Sequence, residues 1–231
     1  MMSFHQKLLE QTTAERARLM TVPVIQDALR GGICLDQYIA FLTQAYHHVR
    51  HTVPLLMACG SRMGDRLPLM QSAIAEYIAE EIGHDEWILD DIAAAGGDRL
   101  AAQRQRPNAA TEVMVAYAYH QIDRCNPMGF FGMVHVLEGT SVALASRAAE
   151  AIAASLGLPA RAFRYLNSHG SLDQEHVRFF EELMDGVADP GDQQAIVHCA
   201  RRFYGLYGDV FRSLSAADES PPVAQAEVAY V

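Results

Sequence analysis

Apolar side chains recur every three or four residues along nearly the whole of this chain, and no segment shows the strict alternation of a strand. The spacing predicts helices joined by short links. The first covers residues 4 to 20 and stops before Thr21-Val-Pro23; a short one, about 23 to 30, ends at Gly31-Gly32. A longer helix runs from about 35 to 60, with Tyr38, Phe41, Leu42, Ala45, Val49, Val53 and Leu56 at core-like positions. Pro54 demands a kink or a break in its second half. Leu67 to Ala95 reads as one helix ending at Gly96-Gly97, and Thr111 suits the N-cap of the next, which ends near Asn126-Pro127. Met128 to Leu156 is almost wholly apolar and should be central, with Gly129, Gly132 and Gly139 letting neighbouring backbones come close. Pro159 to Gly186 and Pro190 to Leu214 complete the pattern. Pro221-Pro222 and weak periodicity predict a loose tail over 215–231. The expectation is one all-α domain over residues 1–214, built from seven to eight helices.

Composition narrows the class. At 231 residues the chain can bury a sizeable core, and half its residues are hydrophobic. A formal net charge of −10 argues against a general nucleic-acid binder, which needs a basic surface. No apolar run is read as approaching the ~18 residues of a membrane span, and the N-terminus lacks the apolar stretch of a signal peptide. Cys34, Cys59, Cys125 and Cys199 are widely spaced, which fits neither a disulfide framework nor a zinc ribbon. A cytoplasmic protein with reduced thiols, and no nucleic-acid or membrane partner, is expected.

The candidate chemistry lies in three places. His169, Asp173 and His176 recur at i, i+4 and i+7, within about 60° of one another on a helix. Glu81 and His84 stand at i, i+3 in an earlier helical segment, where Glu80 is placed about as well as Glu81. Glu138 sits alone in the apolar helix, where a buried carboxylate needs a cation, strong hydrogen bonds or protonation; Arg147 and Arg178 are alternative partners to a metal. His135, one turn earlier, reads as a core histidine. Three imidazoles and three carboxylates form a mixed N/O set that suits iron or manganese better than tetrahedral zinc. His47, His48 and His51 add a cluster from which His47 is the candidate for a second iron site, with His48 as the alternative.

Taken in order, Glu-Glu-Ile-Gly-His at 80–84, Glu138 in a Gly-rich apolar helix and His-x3-Asp-x2-His at 169–176 resemble the heme-oxygenase-like diiron oxidases and oxygenases, relatives of the TenA and PqqC proteins. The resemblance spans roughly residues 20 to 212 and implies a heme-oxygenase-like bundle around the site, with no heme required. It implies Fe(II), two ions, held by Glu81, His84, Glu138, His169, Asp173 and His176, with dioxygen and a small organic substrate as reagents. Related proteins act on amino acids and fatty acids. Family members often place another carboxylate on the helix that here carries His47 and His48, so the second iron site departs from the family pattern. A homodimer is expected from related folds.

Tyr77, Phe130, Phe131 and Met133 are candidate cavity residues, Tyr77 foremost because it precedes His84 by two helical turns. Two other readings remain. One is a metal-independent relative, a thiamin-fragment hydrolase or a cofactor-free oxidase, although no cysteine has an evident activating base. The other is a non-enzymatic metal-binding protein. A true heme oxygenase would have His5 as its one early histidine.

Overall fold

A helix that is apolar all round belongs at the centre of a bundle, and the helix Phe130–Leu156 is there. The computed structural model describes residues 2–64, 68–171 and 173–214; at residues 68, 169–171 and 173–176 it describes the backbone alone. The expected tail, 215–231, lies outside the described residues. The helices are α1 (Phe4–Gln11), α2 (Thr13–Met20), α3 (Pro23–Ala28), α4 (Leu35–Val49), α5 (Thr52–Met63), α6 (Pro68–Glu81) and α7 (His84–Ala94). They continue as α8 (Arg99–Arg104), α9 (Ala109–Arg124), α10 (Phe130–Leu156), α11 (Arg164–Ser171), α12 (Asp173–Asp185) and α13 (Pro190–Ser213). No strand occurs among the described residues. Helix α10 packs most extensively on α13 and α11, while α4 lies on α7 and α5 on α6.

The long helices read from the sequence are subdivided, so there are more segments than seven or eight. Residues 4–20 divide at Thr12, whose side chain bonds back to the carbonyl of Leu8. The Pro54 interruption is real but lies upstream of the proline. A proline ring clashes with the carbonyl four residues before it, here that of Arg50, so α4 ends at Val49 and Pro54 sits in the first turn of α5. Residues 67–95 divide at Gly83, which takes φ +90°, a left-handed backbone that glycine adopts without a Cβ penalty. Helix α9 is capped by Asn108, not Thr111: the Asn108 carbonyl oxygen accepts the Thr111 N–H at 2.9 Å. Thr111 is instead buried and donates to Gln44 at 2.8 Å.

Two glycines let α10 approach α13 closely. A Cβ on Gly132 would lie 2.5 Å from the Ala200 nitrogen and 2.6 Å from the Ile196 carbonyl oxygen, and one on Gly129 would meet the Cys199 sulfur at 2.6 Å. Gly139 has nothing within 4 Å of such a position and serves no close contact. The span Pro127–Leu156 is, by length and composition, apolar enough to cross a membrane, contrary to the reading from sequence. It is the buried core helix of the bundle: 61% of its apolar window is covered by protein. The buried hydrophobic residues form one cluster that reaches from Phe4 to Leu214.

Asp91 of α7, fully buried, accepts the backbone N–H groups of Arg164 at 3.0 Å and Tyr165 at 2.8 Å, and so caps the start of α11. Tyr38 of α4 stacks on Phe163 and donates its hydroxyl to the Ala162 carbonyl at 2.6 Å, fixing the turn before α11 from the other side. The chain entering the candidate ligand segment is thus held at two points.

Because the α10–α13 contact leaves no room at Gly132, Gly132→Ala should destabilise the protein by about 1–3 kcal/mol through overpacking, whereas Gly139→Ala should be neutral or slightly stabilising. Urea midpoints of the two variants check this.

Candidate metal centre

Glu81 is the last residue of α6 and His84 the first of α7, so the pair does not share a helical face as its spacing suggested. Gly83 turns the backbone between them and brings the Glu81 Oε2 to 3.1 Å from the His84 Nδ1. A carboxylate only accepts, so Nδ1 carries the proton and Nε2 is the ring's acceptor, the nitrogen a metal would take. His84 is buried and Glu81, bonded to it, is 16% exposed at its side chain, while Glu80 is exposed.

Glu81 opens onto a cavity of about 70 Å³ that is bounded by α4, α5, α6, α10, α11 and α13. His48, Glu138, Tyr77, Tyr165, Tyr207, Thr52 and Ser141 supply its other polar groups; Leu55, Leu56, Phe130, Met133, Val134 and Leu137 supply apolar walls. Glu138 is half-buried here, not fully buried as its apolar neighbours suggested, because its side chain borders the cavity. The exposed Arg147 does not line the cavity. His48 lines it and stands edge-on to the Tyr207 ring, 6.0 Å between centroids. His47, the candidate named first from the sequence, does not line it: adjacent helical residues point about 100° apart, and α4 turns His48 inward. Of the proposed cavity residues Tyr77, Phe130 and Met133 line it, and Phe131 belongs to the core.

The carboxylates leave an electrostatic imprint. Burial, then Glu138, Glu80 and Glu81, push the Tyr77 phenol well above its usual range. Burial, Tyr207 and Glu81 do the same for Tyr165. Both stay neutral donors at physiological pH. Tyr77 is 3% exposed, and its hydroxyl has no hydrogen-bond partner among the described residues, although it borders this cavity.

A second cavity of about 80 Å³ adjoins the first, sharing Ser141, Tyr165 and Tyr207 with it. Its walls are almost all apolar, from Val24 and Ile25 on α3 through Phe41 on α4 to Leu144 and Ile152 on α10 and Phe211 on α13. Sequence reasoning missed Tyr165 and Tyr207, since tyrosines at helical spacing look like ordinary core. Their place beside His169 and at the end of an apolar stripe was the one available signal.

The side chains of His169, Asp173 and His176 lie outside the described residues; their backbone belongs to α11 and α12. Among the described residues no three His, Cys, Asp or Glu side chains lie close enough to hold an ion by themselves. The donors that do converge on the cavity, two carboxylates and the imidazole of His48, with the His84 ring bonded to one of those carboxylates, are nonetheless the chemistry iron favours. The buried, unpartnered phenol of Tyr77 beside them fits a cavity that takes up a polar guest.

The profile of a family described as iron-containing redox enzymes matches residues 39–208. The chain belongs to that family. No curated protein sequence matches this chain significantly. Its fold is heme-oxygenase-like. A domain of unknown function with that fold from Shewanella denitrificans superposes with a TM-score of 0.84 at 22% identity, covering 92% of each chain. A TenA homologue from Pseudomonas syringae gives 0.79 at 12% identity, covering 92% of this chain and 93% of its own. A heme oxygenase from Leptospira interrogans gives 0.72 at 16%, covering 92% and 100%. At these identities the likeness concerns the fold alone.

Two buried groups of the bundle are shifted in opposite senses. His135, between Phe180 and Tyr204, is a core histidine as expected; burial, with His5 and Arg16 nearby, pushes it down to about 4. Burial pushes Asp91 up to about 6, against the two N–H groups it accepts. Between about pH 6.5 and 4 the unfolded chain binds more protons at His135, so that contribution to stability is lost as pH falls. Between about pH 4 and 6 the folded chain binds more protons at Asp91, so that contribution is lost as pH rises. Relative to the parent, His135→Gln should therefore lose stability as pH rises across this window, and Asp91→Asn should gain it. Urea midpoints measured from pH 4 to 7 give both slopes.

Proposed function

We propose that this protein is an O2-dependent nonheme iron oxidoreductase acting on a small organic substrate with an apolar portion, such as an amino acid or fatty acid derivative. The observation that carries the reading is the convergence of Glu81, Glu138 and His48 on one cavity, with His84 bonded to Glu81, in a member of the iron-containing redox enzyme family. Glu81, His84 and Glu138 would hold iron together with His169, Asp173 and His176, with His48 the histidine placed to serve a second ion. Iron bound there would supply the electrons that reduce dioxygen.

The chain's own residues have defined tasks. The two carboxylates offset the charge of a cation that the apolar walls alone would exclude. Glu81 holds the proton of His84 at Nδ1 and thereby fixes the ring's tautomer. Tyr77 and Tyr165, kept protonated by burial and by those carboxylates, present hydrogen-bond donors to whatever occupies the cavity. Leu55, Leu56, Phe130 and Met133 keep bulk water out. The adjoining apolar cavity supports a substrate whose polar end lies by the carboxylates and whose hydrocarbon part passes the wall of Ser141, Tyr165 and Tyr207.

The rival readings find less support. A hydrolase needs an activated thiol, yet burial pushes Cys59 up to about 12 and Cys199 up to about 11, away from the thiolate. Cys125 lies 3.6 Å from the His120 Nε2, but the pair is exposed and borders neither cavity. His5 faces Phe180 and Glu181 and borders neither cavity, which disfavours an axial heme ligand there.

Anaerobic Fe(II) titration of the metal-free protein, followed by oxygen uptake, tests the proposal. Saturation at about two irons per chain, as in other carboxylate-bridged bundle sites, and oxygen consumption are expected, both lost in Glu81→Ala and His169→Ala. Absence of saturable uptake, or parent-like uptake in both variants, sinks the iron reading.

A further inference from the structure

We infer that Trp87 is the positioning residue for His84, stacked on the imidazole and backed on its far side by Arg164; the inference rests on the iron reading of the same site. The indole and imidazole centroids are 4.2 Å apart, with the planes tilted by 36°. The Arg164 guanidinium carbon lies 3.9 Å from the centroid of the same indole. Two groups this close to one ring centre cannot share a face, so the indole is sandwiched between them.

The bond from Nδ1 to Glu81 fixes one edge of the His84 ring, and the tilt of the ring plane is a separate degree of freedom. The stacked indole removes that freedom. His84, Trp87 and Asp91 follow one another at i, i+3 and i+7 along a single stripe of α7. Asp91 accepts the backbone N–H of Arg164, so the residue whose side chain covers Trp87 is itself anchored from the same stripe. Through this stripe α7 joins the Glu81–His84 turn to the first residue of α11, the helix whose backbone includes residue 169.

Trp87 borders neither of the two cavities. Nor does its setting suit electron transfer, because a guanidinium on the face of an indole makes removal of an electron from that indole harder. What is left is orientation. As the chain's single tryptophan, it also reports on the site by fluorescence.

The test compares the parent with Trp87→Phe, Trp87→Leu and Arg164→Met, using Co(II) as a probe that needs no turnover. Co(II) should quench the parent's fluorescence saturably, and His84→Ala should abolish the quenching. Trp87→Leu, which like Trp87→Phe has no tryptophan to quench and is compared with the parent by Co(II) visible absorption, should lose about tenfold to a hundredfold in Co(II) affinity, the range for removal of a group that orients a ligand. Trp87→Phe, which keeps a stacking ring, should stay within a few-fold of the parent. In the metal-free protein, NMR should show the His84 ring protons shifted by the indole, and in Trp87→Leu averaged over several rotamers. Parent-like affinity and an unmoved His84 signal in Trp87→Leu overturn the inference. So does equal loss in Trp87→Phe and Trp87→Leu, and so does loss of oxygen uptake alone with Co(II) affinity intact, which would make Trp87 an electron conduit. Should Trp87→Leu fail to fold, Arg164→Met decides: a weakened affinity with a broadened His84 signal supports the clamp, and parent-like values for both overturn it. A parent that binds no metal defeats the iron reading, and the metal-free NMR comparison then still decides the clamp.

Discussion

The approach of α10 to α13 is the constraint on which the remaining structure depends. Gly132 lies so near the Ile196 carbonyl and the Ala200 nitrogen that no side chain fits between them. With that contact made, most of the apolar length of α10 is covered by the chain's own helices. It also settles where Glu138 points, since the face opposite Gly132's neighbours must look toward α4, α6 and α11. The cavity is what those helices enclose together with α5 and the Tyr207 end of α13.

Placing carboxylates in such an interior carries a desolvation cost, and the surroundings show how it is met. Glu81 accepts the Nδ1–H of His84, the nearby phenols of Tyr77 and Tyr165 remain neutral, and Asp91 is satisfied by two backbone N–H groups. The Glu81–His84 pair and Asp91 are each tied to a helix end or to a break in a helix. Main-chain groups there lack intrahelical partners and side chains take unusual directions. The Glu81–His84 turn and the capped start of α11 are both of this kind.

The sequence disclosed much of this, and its failures have physical causes. The apolar periodicity located the helical stretches and the central helix, because burial of a stripe is a property of spacing alone. It could not locate the division at Gly83, since a glycine in a helical run can be tolerated, can cap, or can reverse the backbone, and only packing decides. The Glu81–His84 pair was legible as chemistry but not as geometry: its closeness arises from the break and not from a shared face. His47 and His48 differ by one helical step, and the choice between them depended on how α4 is rotated against α13. Asp91 and Trp87 were overlooked because their partners, Arg164 and Tyr165, are distant in sequence. The backbone breaks at Thr12 and before Pro54 follow from local sterics and were half legible.

The wall of Ser141, Tyr165 and Tyr207 separates a polar chamber from an apolar one, and none of the three is among the candidate iron ligands. On the proposed reading, reaction chemistry and choice of substrate fall to different sets of residues. A lineage built on this plan can exchange one substrate for another by altering the partition while the ligands stay constant. Divergence in such a family would then accumulate first in the partition and the apolar chamber behind it, and last in the turn that joins α6 to α7.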